Sequence, residues 1–140
     1  MKIQKLRDIR LPERATQYSG GYDIYMPEDG TIGGMFGPAK VGLGFATAIP
    51  PGFVALLLPR SGCGSKFGVE LQNTCGVIDA DYRGEWFATL RTKNGEKFSW
   101  EKGERVLQMI LVPVITPDLE VVDSLDETSR GAGGLGSTGR

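Results

Sequence analysis

Glycine restricts this chain more than any other feature. It supplies 21 of 140 residues, about twice the ~7% usual for soluble domains. Such a load suits tight turns and backbone that approaches a ligand, and it disfavours a helical bundle. Between the glycines and 8 prolines the chain breaks into short β-type runs. Candidate strands lie at 3–6, 22–25, 44–48, 54–58, 69–71, 74–78, 86–91, 97–100, 106–112 and 120–122. Breaks fall at Pro50-Pro51-Gly52, Asn94-Gly95 and Lys102-Gly103. Asn94-Gly95 predicts a hairpin joining 86–91 to 97–100. No stretch keeps helical periodicity over three turns. The expectation is an all-β sandwich or barrel. The length suits one domain, and residues 129–140, nearly devoid of apolar side chains, read as a flexible glycine-rich arm behind a domain of 1–128.

The net charge is −1, so no overall positive field draws in nucleic acid. An anionic ligand must be held by a few placed cations and by backbone N–H groups. Cys63 and Cys75 are too few for a disulfide framework or a zinc site and read as reduced, small core residues. The first fourteen residues are charged throughout, unlike a signal peptide. The longest apolar run, 53–58, is far short of a membrane span. A cytoplasmic protein, with no membrane partner, is the default expectation. Histidine is absent, which excludes Ser-His-Asp and Cys-His catalysis and leaves Asp or Glu as the expected general base.

Several segments could carry chemistry. Gly131-Ala132-Gly133-Gly134-Leu135-Gly136 has the spacing of a dinucleotide fingerprint but is followed by only four residues, with no room for the required helix. With Arg130, Ser137 and Thr138 it can instead wrap a polyphosphate. Pro59-Arg60-Ser61-Gly62 reads as a loop offering a cation, a hydroxyl and free backbone. Gly76 to Gly84 sets Asp79, Asp81 and Tyr82 after an apolar strand; either aspartate could serve a ligand or close a turn through its side chain. Asp23 is a third carboxylate, and these patterns alone do not choose among the three. Gln108 interrupts an apolar strand and needs a hydrogen-bond partner, from the fold or from a ligand.

Taken in order, these segments resemble the five motifs of the trimeric dUTPase family. Gly21-Tyr22-Asp23-Ile24 resembles the first and Pro59-Arg60-Ser61-Gly62 the second. Gly76-Val77-Ile78-Asp79 with Tyr82-Arg83-Gly84-Glu85 resembles the third, with Asn73 placed ahead of it. Gly103-Glu104-Arg105-Val106-Leu107-Gln108 resembles the fourth. Arg130-Gly131 with Gly136-Ser137-Thr138-Gly139 resembles the fifth. The match runs from about Tyr22 to the C-terminus.

The resemblance implies a distorted jelly-roll, or β-clip, assembled as a homotrimer whose C-terminal arms cross to a neighbour and complete shared active sites. It implies a dUTP diphosphatase that uses Mg²⁺ to hydrolyse dUTP to dUMP and pyrophosphate, limiting uracil in DNA and supplying dUMP for dTMP synthesis. By position, Asp79 is the base for the attacking water. Tyr82 lies against the deoxyribose and excludes a ribose 2′-OH. Asn73 and the backbone of Gly76, Val77 and Ile78 read uracil, helped by the returning strand near Phe87, in a hairpin too tight for a thymine methyl. Arg60, Ser61, Gly62 and Gln108 hold phosphates, and Arg130, Gly136, Ser137 and Thr138 close over them. Asp23 meets Mg²⁺ through water, and Asp81 is left to the turn. Two positions depart from the family pattern. Leu135 stands where an aromatic usually stacks on uracil, and Cys63 stands where an aliphatic residue is common. Two alternatives remain at this level: a dCTP deaminase of the same fold, and a non-catalytic dUTP-binding regulator.

Overall fold

The computed structural model describes residues 1–134. Within them the chain forms β1 (Lys2–Lys5), β2 (Gly21–Tyr25), β3 (Gly30–Ile32), β4 (Ala39–Gly42), β5 (Phe45–Ala48), β6 (Phe53–Pro59), α1 (Ser61–Phe67), β7 (Val69–Leu71), β8 (Gly76–Ile78), β9 (Phe87–Thr92), β10 (Phe98–Trp100) and β11 (Arg105–Pro113). One sheet has the order β2-β11-β6-β8 and a second β4-β9-β7, while β1-β5 and β10-β3 form two-stranded ribbons. Every pairing is antiparallel. The all-β expectation holds.

Alternation along these strands drives one hydrophobic core. Ile24, Leu57, Leu107 and Met109 from the first sheet share a cluster with Val69, Leu71, Ala88 and Leu90 from the second. Full burial of each large aliphatic stabilises the fold by about 1.5–3 kcal/mol. Trp86 and Phe45 are fully buried and meet at 5.2 Å between ring centroids. The Trp86 indole donates to Thr47 Oγ1 at 3.1 Å, so its polar edge is satisfied inside the core. Cys63 and Cys75 are free thiols but only half-buried, at the margin of the core rather than inside it. No helix among the described residues is long and apolar enough to cross a membrane.

The secondary structure departs from the sequence expectations in four places. β3 and β4 form from segments without a clear alternating pattern. Arg60-Ser61-Gly62 is not a loop but the start of α1, two turns of helix despite Gly62 and Gly64. That helix stops at Gly68, whose left-handed φ of 65° lets its N–H reach the carbonyls of Cys63 and Gly64. Residues 120–122 form no strand, because Val121 and its neighbours extend into solvent without a partner. Asn94-Gly95 does make a tight turn, with the Gly95 N–H on the Thr92 carbonyl, but β9 and β10 do not pair. The Gly95 carbonyl is taken by the Gly34 N–H at 2.7 Å and that of Glu96 by the Thr92 hydroxyl at 2.7 Å. These bonds steer the chain out of the turn towards β3, where β10 pairs instead.

Candidate functional site

The site is organised along β6. On one side β6 pairs with β8, in the register Leu57↔Gly76, Leu56↔Val77 and Ala55↔Ile78. Asp79 is the next residue and leaves the sheet level with Val54. The chain then loops through Tyr82 and returns at Trp86 into β9. Asn73, Gly76, Val77, Ile78, Asp79, Tyr82, Trp86 and Phe87 line one cavity of about 220 Å³. Trp86 is buried, whereas Val77, Asp79, Tyr82 and Phe87 are exposed around it. Asp79 takes part in none of the ion pairs among the described residues.

Entry into β8 is strained. Thr74 has φ of 70°, the sole non-glycine residue with positive φ among those described. A β-branched residue in that region costs of order 1–3 kcal/mol and persists only where the surroundings enforce it. Here the Thr74 N–H bonds the Leu71 carbonyl at 2.9 Å and the Cys75 N–H bonds the Asn73 carbonyl at 2.8 Å. The resulting tight turn sets Asn73 at the cavity.

A second group gathers at the other end of β6. Asp23 on β2 faces Gln108 on β11, and Gln108 faces Leu58 on β6. Asp23 is buried, and its carboxylate accepts from Arg60 Nε at 2.7 Å and from Arg105 Nη1 at 3.1 Å. The Gln108 amide donates to the Pro59 carbonyl at 3.0 Å, which supplies the partner its inward position requires. Ser61 and Gly62 follow Arg60 in the first turn of α1. Burial pushes the Cys63 thiol above its ordinary range, countered in part by Arg60. Among the described residues no three His, Cys, Asp or Glu side chains gather as a metal site.

Within one chain the two groups stay apart. Asp79 lies level with Val54 and Arg60 follows Pro59, so six strand positions separate them, roughly 20 Å at about 3.3 Å each. Arg60, Ser61, Gly62, Gln108 and Asp23 line no part of the cavity that Asp79 shares.

Other expectations resolve differently. Residues 76–87 are not a paired hairpin, since β8 pairs with β6 and β9 with β4 and β7. The turn after Asp79 is not closed by an aspartate side chain. The Arg83 guanidinium closes it, donating to the carbonyls of Ala80 at 2.7 Å and Tyr82 at 3.0 Å, while the Tyr82 N–H bonds the Asp79 carbonyl. Arg130 is exposed and, among the described residues, its side chain donates to the Gly133 carbonyl of its own turn. Leu135, Gly136, Ser137 and Thr138 lie outside the described residues. Sequence reasoning missed Trp86 as the cavity wall and Arg105 as the second partner of Asp23. An aromatic beside Gly84-Glu85 was a usable signal for the first; nothing local marked the second.

The chain is similar in sequence and fold to known proteins. The dUTPase family model matches residues 7–139. The deoxyuridine 5′-triphosphate nucleotidohydrolase of Chromobacterium violaceum is 42% identical over 138 residues, covering 97% of this chain and 91% of its own. That of Paramecium bursaria Chlorella virus 1 is 41% identical, covering 98% and 96%. The dUTPase of Staphylococcus bacteriophage 80alpha, solved with dUPNHPP, superposes with a TM-score of 0.88 at 28% identity, covering 99% of this chain and 98% of that one. A dUTPase from phage phi11 of S. aureus, solved with a coordinated structural Mg(II) ion, gives 0.78 at 26% identity, covering 88% and 96%.

Proposed function

The chain belongs to the dUTPase family, and from that premise we propose that it hydrolyses dUTP to dUMP and pyrophosphate with Asp79 as the general base. The observation that carries this reading is the convergence of Asn73, Gly76 to Asp79, Tyr82 and Phe87 on one small cavity. Among the described residues β8 is an edge strand, paired with β6 alone. Its outer edge therefore offers backbone donors and acceptors to the uracil edge, and Asn73 adds a side-chain amide. Tyr82 lies against the deoxyribose and leaves no space for a 2′-OH.

In the reaction, the Asp79 carboxylate takes a proton from water as the oxygen attacks the α-phosphorus. The bond from that phosphorus to the bridging oxygen breaks, and pyrophosphate leaves. Arg60, Ser61, Gly62 and Gln108 hold phosphates, and the arm carrying Arg130, Leu135, Gly136, Ser137 and Thr138 closes over them. Mg²⁺ neutralises charge on the triphosphate. The donor set would fit a metal that arrives with the substrate: the buried Asp23 carboxylate already serves two guanidiniums, so it would hold such an ion through water rather than directly.

The roughly 20 Å between the two halves of the site supports a homotrimer in which Asp79 of one chain works with Arg60 of another. The segment behind β11 points the same way. Ile115, Leu119, Val121 and Leu125 are almost wholly exposed, an arrangement suited to an arm laid on a neighbour. Residues 1–128 then comprise the β domain with this lead-out segment at its end, and 129–140 the closing arm.

The test is pyrophosphate release from dUTP and Mg²⁺, with Asp79→Asn alongside. Wild type turns over, and the variant binds a non-hydrolysable dUTP analogue normally but loses about 10²–10⁴-fold in rate. A folded wild-type protein that releases no pyrophosphate overturns the reading. Near-normal turnover in Asp79→Asn removes Asp79 as the base.

A further inference from the structure

The loop 79–86 carries Asp79 and Tyr82, yet most of it is exposed and has little packing of its own. Its position depends on where it is tied down. Tyr82 is held at two points. Its hydroxyl donates to the Glu85 carbonyl at 3.0 Å. Its ring also covers Gly84 so closely that a Cβ there would sit 2.4 Å from the hydroxyl oxygen and 2.6 Å from the ring carbon that bears it. Glu85 therefore fixes Tyr82, and the question becomes what fixes Glu85.

The Glu85 carboxylate accepts from the Gly44 N–H at 2.8 Å and from Arg7 Nη2 at 3.0 Å. The same Arg7 nitrogen donates to the Gly42 carbonyl at 2.7 Å, and Arg7 Nη1 donates to Glu28 at 2.9 Å. One guanidinium thus joins the segment after β2, the turn between β4 and β5, and the base of the loop. Arg7 lies upstream of Tyr22, where the motif resemblance begins.

We infer that Arg7 is a positioning residue for Tyr82: by holding Glu85 it fixes the ring that discriminates deoxyribose from ribose. The inference rests on the reading of Tyr82 given above. Arg7 and Glu85 are each about two-fifths exposed, at 40% and 41%, so the pair contributes little to global stability. Its leverage is local. Without Arg7 the Glu85 carboxylate keeps the Gly44 N–H, and the backbone bonds of Trp86 to Leu43 and Phe45 still anchor the end of the loop. The Glu85 side is nevertheless less restrained, and the Tyr82 ring samples positions that admit a 2′-OH. The loss therefore falls on selectivity more than on folding.

The experiment compares wild type, Arg7→Ala, Arg7→Lys, Gly84→Ala and Arg91→Ala. It reads kcat/KM for dUTP and for UTP, the thermal midpoint, and the rate of trypsin cleavage after Arg83 followed by mass spectrometry. Arg91→Ala removes an exposed ion pair with Glu70, of 2.8 Å, on the sheet that holds β9. In Arg7→Ala the dUTP-to-UTP preference falls about tenfold, the size expected for one charged hydrogen bond, and cleavage after Arg83 quickens. Arg7→Lys recovers part of both. Gly84→Ala lowers the preference with Arg7 intact, by displacing the ring. Arg91→Ala changes neither readout. An unaltered preference in Arg7→Ala, or an equal loss in Arg91→Ala, overturns the inference. Should wild type hydrolyse neither nucleotide, the parent reading fails, and the proteolysis still decides whether Arg7 holds the loop: unchanged cleavage in Arg7→Ala overturns that too.

Discussion

The Arg60 guanidinium donates to the Asp23 carboxylate at 2.7 Å across 37 positions of sequence, which ties the segment resembling the first motif to that resembling the second. Arg105, from the fourth, reaches the other carboxylate oxygen. The carboxylate thus orients two cations at the end of β6 where phosphates are expected. Asp23→Ala leaves both guanidiniums without their partner. Asp23 is buried at 8% exposure while both arginines remain partly solvated, so the expected loss is about 1–3 kcal/mol, below that of a fully buried pair. Urea denaturation measures it, and a midpoint equal to that of wild type contradicts it.

A second prediction concerns pH. Glu13 accepts from the Tyr25 hydroxyl and from Arg10. The Tyr25 hydrogen bond, with Arg10 adding to it, holds the Glu13 carboxyl below its ordinary 4.5 against some desolvation. The same hydrogen bond, then desolvation, pushes Tyr25 above its ordinary 10.0. A lowered acid stabilises the fold above its unfolded pKa, and that contribution is lost as pH falls through the folded value. A raised tyrosine stabilises the fold below its unfolded pKa, and that contribution is lost as pH rises through the folded value. The difference in thermal midpoint between wild type and Tyr25→Phe should therefore be greatest between these limits and shrink at both flanks. A difference that stays constant from acid to alkali contradicts the assignment.

The strained turn before β8 gives a third prediction. Asparagine enters the left-handed region more readily than a β-branched residue. Thr74→Asn should raise stability by about 0.5–1 kcal/mol while leaving dUTP turnover unchanged. A destabilised variant would mean that the Thr74 side chain makes a contact the strain serves.

Much of this molecule is legible in its sequence, and the misses share a cause. The long strands β6 and β11 announce themselves by β-branched and aliphatic runs closed by glycine and proline. β3 and β4 do not, because short strands containing Gly30, Gly42 and Lys40 gain their order from partners elsewhere. α1 was illegible because Ser61-Gly62-Cys63-Gly64 are poor helix formers; packing beside β7 and the Gly68 cap hold it in place. Asn94-Gly95 reported its turn correctly, but which strand β10 joins is a tertiary choice made by Gly34 and Thr92. The cavity was legible because Asn73 to Phe87 are nearly contiguous. Arg7 and Arg105 act across long sequence separations that no local pattern records.

The central claim is that Asp79 and Arg60 serve one reaction from different chains. Subunit complementation tests it directly. Asp79→Asn and Arg60→Ala, each assembled alone as a folded oligomer, should be nearly inactive. Mixed and reassembled in equal amounts, they should regain roughly a quarter of wild-type turnover, the fraction of subunit junctions that join two intact halves. A mixture that forms mixed oligomers yet stays as inactive as its parents would contradict the claim.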